Sequence, residues 1–296
     1  MTTYDYDYLR KLLRDRSGLV LSADKHYLVE SRLLPVARKA GLFNLTGLIA
    51  KLKGPDAEPL IVEVVEAMTT NESFFFRDKI PFDQFRDTIM PRLLRARAGS
   101  RRIRIWCAAA ATGQEPYTLA ICLKEMAAEL RGWRIDILAT DLSREVLDKA
   151  QKGIYTQFEV QRGLPVLMLI KYFSQVGEMW QIDAGIRSMV TFKPLNLLHD
   201  FSHVGVFDVV FCRNVLIYFG QETKIDVLTR LARVTERDGF LALGAAETVV
   251  GLTDAFKPIA DKRGLYAPHE PVPKTTDNVV SLASVAARAA ALRAVR

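Results

Sequence analysis

Apolar runs of strand length alternate with helix-length amphipathic segments from residue 103 to residue 266, and this alternation leaves few folds open. Ile103-Arg104-Ile105-Trp106-Cys107 reads as a strand, 117–130 as a helix, 134–140 as a second strand and 143–152 as a second helix. Strands at 189–192, 207–212 and 240–243, a helix at 221–234 and a last short run at Leu265-Tyr266 continue the series. Strands separated by helices need crossover connections, so the fold class is α/β with a parallel, doubly wound, Rossmann-like sheet. One stretch breaks the pattern. Residues 173–183, within a region near 172–190, read as an inserted β-hairpin whose edge is open to a peptide strand. A connecting loop with Trp180 packed inward is the competing reading.

Ahead of the sheet the periodicity changes to that of short helices, at 4–16, 25–40, 45–52 and 58–68. Ser22-Ala23-Asp24 is the expected start of the second; Gly41 and Gly54-Pro55 mark two ends. Leu9, Leu12, Leu13, Leu28, Leu33, Leu34 and Val36 supply the core of a small bundle. A helix at 81–98 joins this bundle to the sheet. With 296 residues the chain is long enough for two cores. The expected division is 1–77 for the basic helical domain, 78–270 for the sheet domain, and 271–296 for a linker and Ala-rich tail. In that tail Val279, Leu282, Val285, Ala289 and Leu292 recur at helical spacing, which fits either a docking helix or a frayed end.

Charge is uneven. The chain carries +7 overall, and residues 8–53 alone hold ten Lys/Arg against Asp15, Asp24 and Glu30. A second basic cluster, Arg92, Arg95, Arg97, Arg101, Arg102 and Arg104, precedes the first strand. Such faces attract acidic partners or are simply solvated. No stacking aromatics are interleaved with the arginines, which argues against nucleic acid. Apolar runs fall short of the ~20 residues that span a bilayer, and residues 2–16 lack a signal-peptide core, so a cytoplasmic protein without membrane insertion is expected. Cys107, Cys122 and Cys212 sit singly in apolar stretches, as buried thiols do. His199 and His203 have i,i+4 spacing but no companion Cys or acid, and no metal is expected.

Chemistry concentrates at the strand ends, where ligands of open α/β sheets bind. The first strand runs into Ala108-Ala109-Ala110-Ala111-Thr112-Gly113. A dinucleotide fingerprint needs several glycines to cradle a pyrophosphate, so one glycine and four alanines suit S-adenosylmethionine, which has no phosphate, better. A small-residue turn is also how any strand meets a helix closely. Asp141 ends the second strand, where an acid accepts from ribose hydroxyls; it is equally placed to cap the next helix. Arg213-Asn214 ends an apolar strand, with Tyr218 four residues on, able to orient an acceptor oxygen or to pack at the core rim.

The ordered series of motifs closely resembles the bacterial chemotaxis receptor glutamate methyltransferases, the CheR family. It comprises Met68 to Arg77 (MTTNESFFFR), Ile105 to Thr118 (IWCAAAATGQEPYT), Ala139-Thr140-Asp141-Leu142-Ser143, Gly153-Ile154-Tyr155, Asn196-Leu197, and Phe211 to Phe219 (FCRNVLIYF). The resemblance implies a small N-terminal helical domain, a seven-stranded S-adenosylmethionine-dependent methyltransferase sheet, and methyl transfer to glutamates of chemoreceptors in chemotaxis adaptation, with S-adenosylhomocysteine as product. It implies that Asn71, Ser73, Arg77, Glu115, Asp141, Asn196, Leu197, Arg213 and Asn214 contact the cofactor. Arg77 and Tyr218 are implied nearest the methyl transfer.

The partner implied is the acidic cytoplasmic helical region of a chemoreceptor, along which Lys25, Arg32, Arg38 and Lys39 would dock by salt-sensitive steering. Ala111 stands where many relatives have Ser, and Ser73 where Thr is frequent. The hairpin looks shorter than in relatives that grip a receptor peptide tether, which argues against tether binding. A glutamate carboxylate, with a pKa of about 4.3, is already ionised at neutral pH. The lack of a catalytic His, Cys or acid pair is therefore expected, and catalysis would be positional.

Overall fold

A computed structural model describes residues 1–269, and the tail read as helical at 278–296 lies outside the described residues. Helices Thr3–Ser17, His26–Lys39, Leu45–Leu52 and Glu58–Met68 form the N-terminal bundle. Leu9, Leu13, Leu33, Leu48, Val64 and Met68 bury its core. Thr2 and Asp5 close the first helix with a capping box, and Gly18, at φ 77°, ends it in the left-handed conformation that glycine adopts without a Cβ clash. The second helix does not start from Ser22-Ala23-Asp24 as expected. Its N-cap is Lys25, without a side-chain bond. Ser22 Oγ donates instead to Asp24, and Tyr6 donates to the Ser22 carbonyl.

The connecting helix is continuous in path but changes pitch, with α-turns at Ile80–Gln84 and Met90–Ala96 flanking a π-turn at Phe85–Ile89. The wide turn lies immediately before Pro91, whose ring lacks an N–H and crowds the preceding turn of a regular helix.

The sheet strands are β1 (Arg102–Cys107), β2 (Arg134–Asp141), β6 (Val190–Pro194), β7 (Phe207–Cys212), β8 (Thr235–Leu243), β9 (Phe256–Pro258) and β10 (Leu265–Pro268). Between β2 and β6 lie β3 (Ile154–Thr156), β4 (Phe173–Val176) and β5 (Met179–Ile182). The seven-stranded order is β6-β2-β1-β7-β8-β10-β9. It is parallel except for β10, which runs antiparallel to both its neighbours. Ile103, Ile105 and Cys107 face one core layer and Trp106 the other, the two-residue period of a strand covered on both sides.

The hairpin exists, and sequence reading missed its third partner. β3 pairs with β5, so β5 is the middle strand of a small antiparallel sheet, β3-β5-β4. Trp180 is half-buried and donates to Gln157 at 2.6 Å. The helix expected at 117–130 spans Gln114–Glu125, because Gly113 at φ 93° starts it three residues earlier. No helix among the described residues is long and apolar enough to cross a membrane.

Candidate active site

Strand order reverses between β1 and β7, and this switch point opens a crevice beyond their C-terminal ends. A cleft of about 950 Å³, counting its open mouth, lies there. Its wall gathers residues far apart in sequence: Asn71, Ser73 and Arg77 from the strap after the bundle, Ala108, Ala109 and Ala111 after β1, Glu115, Asp141, Asn196 and Leu197, then Arg213, Asn214 and Tyr218. All nine residues expected at the cofactor and both expected nearest the transfer therefore line one cavity. Ser17 and Leu19, which the sequence reading did not single out, also line it, so the bundle closes one side.

The β1 loop is held by β2. Ala110 N–H donates to the Thr140 carbonyl at 2.9 Å, and Ala111 N–H to Asp141 Oδ2 at 2.8 Å. A Cβ on Gly113 would lie 2.9 Å from the Ala150 methyl, so glycine is needed for both backbone angle and space. Asp141 Oδ1 accepts from Ser143 N–H at 3.0 Å. The helix cap is Ser143 rather than Asp141, its side chain accepting from Val146 N–H. Burial pushes the Asp141 carboxyl up, and its backbone donors pull it partly back.

Arg213 is the most deeply placed charge, with a side chain 1% exposed. It donates to Glu115 at 2.7 Å, to Asp78 at 2.7 Å and to the Arg77 carbonyl at 2.9 Å. Its Nε has no hydrogen-bond partner among the described residues. Burial pushes the Glu115 carboxyl up more than Arg213 pulls it down, and the guanidinium, which cannot lose its proton, lies at ion-pair distance from it. Phe76, Asp78 and Lys79 on the strap all have positive φ, as do Ala111 and Asn214. Ala111 and Asn214 line the cleft and the other three flank Arg77, which also lines it, a concentration characteristic of a site held in place by its surroundings.

Arg77 donates to the Glu72 carbonyl at 2.6 Å and lies over the Phe74 ring. Asn196 Nδ2 donates at 2.8 Å to the Arg16 carbonyl at the end of the first helix. Val20 N–H donates to the Tyr218 carbonyl at 2.9 Å, and Leu19 pairs with Phe219 in an isolated antiparallel bridge. The Tyr218 hydroxyl has no partner among the described residues and is free for a ligand.

Sequence reasoning missed Glu247, whose carboxylate accepts backbone N–H groups of the loop carrying Asn214. The signal was slight, a lone acid after Gly244-Ala245-Ala246 at the end of an apolar strand. Among the four cations expected at a docking face, Arg32 is committed elsewhere. Its guanidinium holds the Met68 and Thr69 carbonyls at 2.7 and 2.9 Å and reaches Thr70. Lys39 pairs with Glu63, Lys25 lies beside Asp24, and Arg38 is exposed. Much of the second basic cluster is also used internally, Arg97 bridging Asp208 and Asp238 and Arg102 pairing with Asp136.

Two family models match in tandem. The "CheR methyltransferase, all-alpha domain" covers residues 4–69, and the "CheR methyltransferase, SAM binding domain" covers residues 71–265. The chain belongs to the CheR methyltransferase family. It is 38% identical over 265 residues to "Chemotaxis protein methyltransferase 1" of Pseudomonas aeruginosa, covering 88% of this chain and 96% of that one. It is 37% identical over 270 residues to "Chemotaxis protein methyltransferase 1" of Vibrio cholerae, covering 90% and 97%. The Escherichia coli "Chemotaxis protein methyltransferase" is 32% identical over 252 residues, covering 84% and 85%.

The cofactor of this CheR protein is S-adenosylmethionine, and the cleft fits it chemically. Alanines at 108, 109 and 111 let a ligand approach the backbone, the Glu115–Arg213 pair faces the cavity, and Asp141 offers acceptors at the strand end.

Proposed function

We propose that the cleft methylates glutamate side chains of chemoreceptors, giving glutamyl methyl esters in chemotaxis adaptation. Bound S-adenosylmethionine supplies an electrophilic methyl group on a sulfonium. The residues present have to bind, orient and exclude water. Asp141 and Asn214 offer polar contacts at the ends of β2 and β7, on either side of β1, and Arg77 suits a carboxylate of the cofactor, its charge also attracting an acidic substrate. The free Tyr218 hydroxyl would donate to one acceptor oxygen and leave the other for attack.

The carrying observation is the gathering of Arg77, Asp141, Asn214 and Tyr218 into one cleft with no His or Cys in its wall. That composition suits a nucleophile that is already ionised and needs only desolvation and alignment. In this reading residues 1–77 serve docking and one wall of the site, and residues 78–270 hold the cofactor. Exposed Arg38, with Lys25 and Lys39, would meet the acidic helical region of the receptor. The turn between β4 and β5 is only Gly177-Glu178, which supports a reading without a receptor tether held there.

Labelled S-adenosylmethionine with receptor-bearing membranes, followed by alkaline release of methanol, tests the ester directly. Arg77→Ala should weaken S-adenosylhomocysteine binding by about tenfold, whereas Tyr218→Phe should cut turnover by ~10-fold and leave that binding intact. Base-stable label, or undiminished turnover in both variants, would remove the proposal.

A further inference from the structure

The loop after β7 carries Asn214 and Tyr218 to the cleft, yet its only regular structure is one 3-10 turn, Leu216–Tyr218. It enters that turn through Asn214 at φ 58°. Asn adopts this left-handed conformation more readily than other non-glycine residues, and the partners of the loop fix it there.

One carboxylate imposes it. Glu247 Oε2 accepts from Asn214 N–H at 2.7 Å and from Gly244 N–H at 2.7 Å. Glu247 Oε1 accepts from Val215, Leu216 and Ile217 N–H at 3.0, 2.8 and 3.3 Å. Four successive amides of the loop thus converge on a single side chain from the far end of the next strand. Glu247 is 9% exposed and does not line the cleft, so its part is played through the loop. A carboxylate suits this task because it accepts at both oxygens and donates nothing; a Gln amide would turn an NH₂ against at least one of these N–H groups. Gly244 provides the space. A Cβ there would lie 2.7 Å from Glu247 Oε2 and 2.8 Å from Asn214 Nδ2.

We infer that Glu247 is a positioning residue for methyl transfer, holding residues 214–217 so that Asn214 and Tyr218 present their side chains to the cleft together. This rests on the transferase reading of the cleft. The mechanism is preorganisation. Released from Glu247, the loop would sample conformations in which the tyrosine is misplaced, and a misplacement of about 1 Å can cost ~10²-fold in rate.

The test compares the full-length parent with Glu247→Gln, Glu247→Asp and Gly244→Ala. It follows amide hydrogen exchange across residues 213–219, S-adenosylhomocysteine calorimetry, and methyl transfer to receptor-bearing membranes. In Glu247→Gln the amides of 214–217 should exchange at least about tenfold faster while β7 stays protected. Its kcat should fall by ~10²-fold, with a smaller change in the receptor KM. Glu247→Asp should recover part of both losses. Gly244→Ala should loosen the same amides with the carboxylate still present. Unchanged exchange at 214–217, or turnover within about twofold of the parent, overturns the inference. If Glu247→Gln does not fold, Gly244→Ala decides by the same exchange readout. A parent that transfers no methyl to receptor would sink the transferase reading instead, and the exchange result would still stand.

Discussion

The loops that follow β1 and β7 meet the same cleft from adjacent strand ends and reach it by opposite means. The β1 loop works by having almost no side chains. Its alanines and Gly113 bring backbone to the cavity, and its amides bond to Thr140 and Asp141 on the neighbouring strand. The β7 loop carries the large and charged residues, and its conformation depends on partners far away in sequence. Glu247 takes its amides, while Glu115 and Asp78 take its arginine. One loop is specified by sterics, the other by polar satisfaction. The first should therefore be sensitive to added atoms, and the second to removed ones.

Arg213→Ala probes the β7 side and should have the largest effect. It leaves Glu115 buried without its cation, and breaking a buried pair in this way costs about 3–5 kcal/mol. Urea unfolding of the purified variant measures it; a loss below about 1 kcal/mol would mean the loop stands without the arginine.

Gly113→Ala is the matching experiment on the β1 side. A single methyl at φ 93°, 2.9 Å from the Ala150 methyl, should cost about 2 kcal/mol and displace the start of the Gln114–Glu125 helix. The same unfolding series reads this, and a neutral result would erase the contrast between the loops.

The smallest effect sharpens the comparison through pH. Burial raises the Asp141 carboxyl above its ordinary value, so the folded state holds that proton more tightly than the unfolded chain. This contribution favours folding below the usual carboxylate range, about pH 4, and is lost as pH rises through the folded value. Asp141→Asn removes the titration. The stability of the variant relative to the parent should therefore improve as pH climbs from about 4 towards neutrality. A difference that stays flat across that range would show that Asp141 meets no net burial penalty.

Legibility in sequence followed the same division. Leu45–Leu52, Glu58–Met68 and Phe207–Cys212 fall where their patterns put them, because each is a local periodicity bounded by a turn or a charge. The small-residue turn at 108–113 was legible for the same reason. Strands β3 and β9, three residues each, were not, since so short a segment becomes a strand only through its neighbour. Arg32 reads in sequence as one more surface cation, and only the approach of residues 68–70 turns its guanidinium inward. Glu247 is a stronger case. It is an unremarkable acid after two alanines until β8 delivers it beneath the loop after β7.

The order of strands and helices, the basic bundle ahead of them and the residue types at the strand ends were set by the chain alone. They rest on periodicity, chain direction and the absence of side-chain bulk, all properties of adjacent residues. Folding in three dimensions decided which charges became buried partners, where the bundle closed against Tyr218 and Phe219, and which carboxylate held the β7 loop. Those outcomes depend on satisfying buried donors and acceptors brought together from distant positions, and no local pattern encodes that pairing.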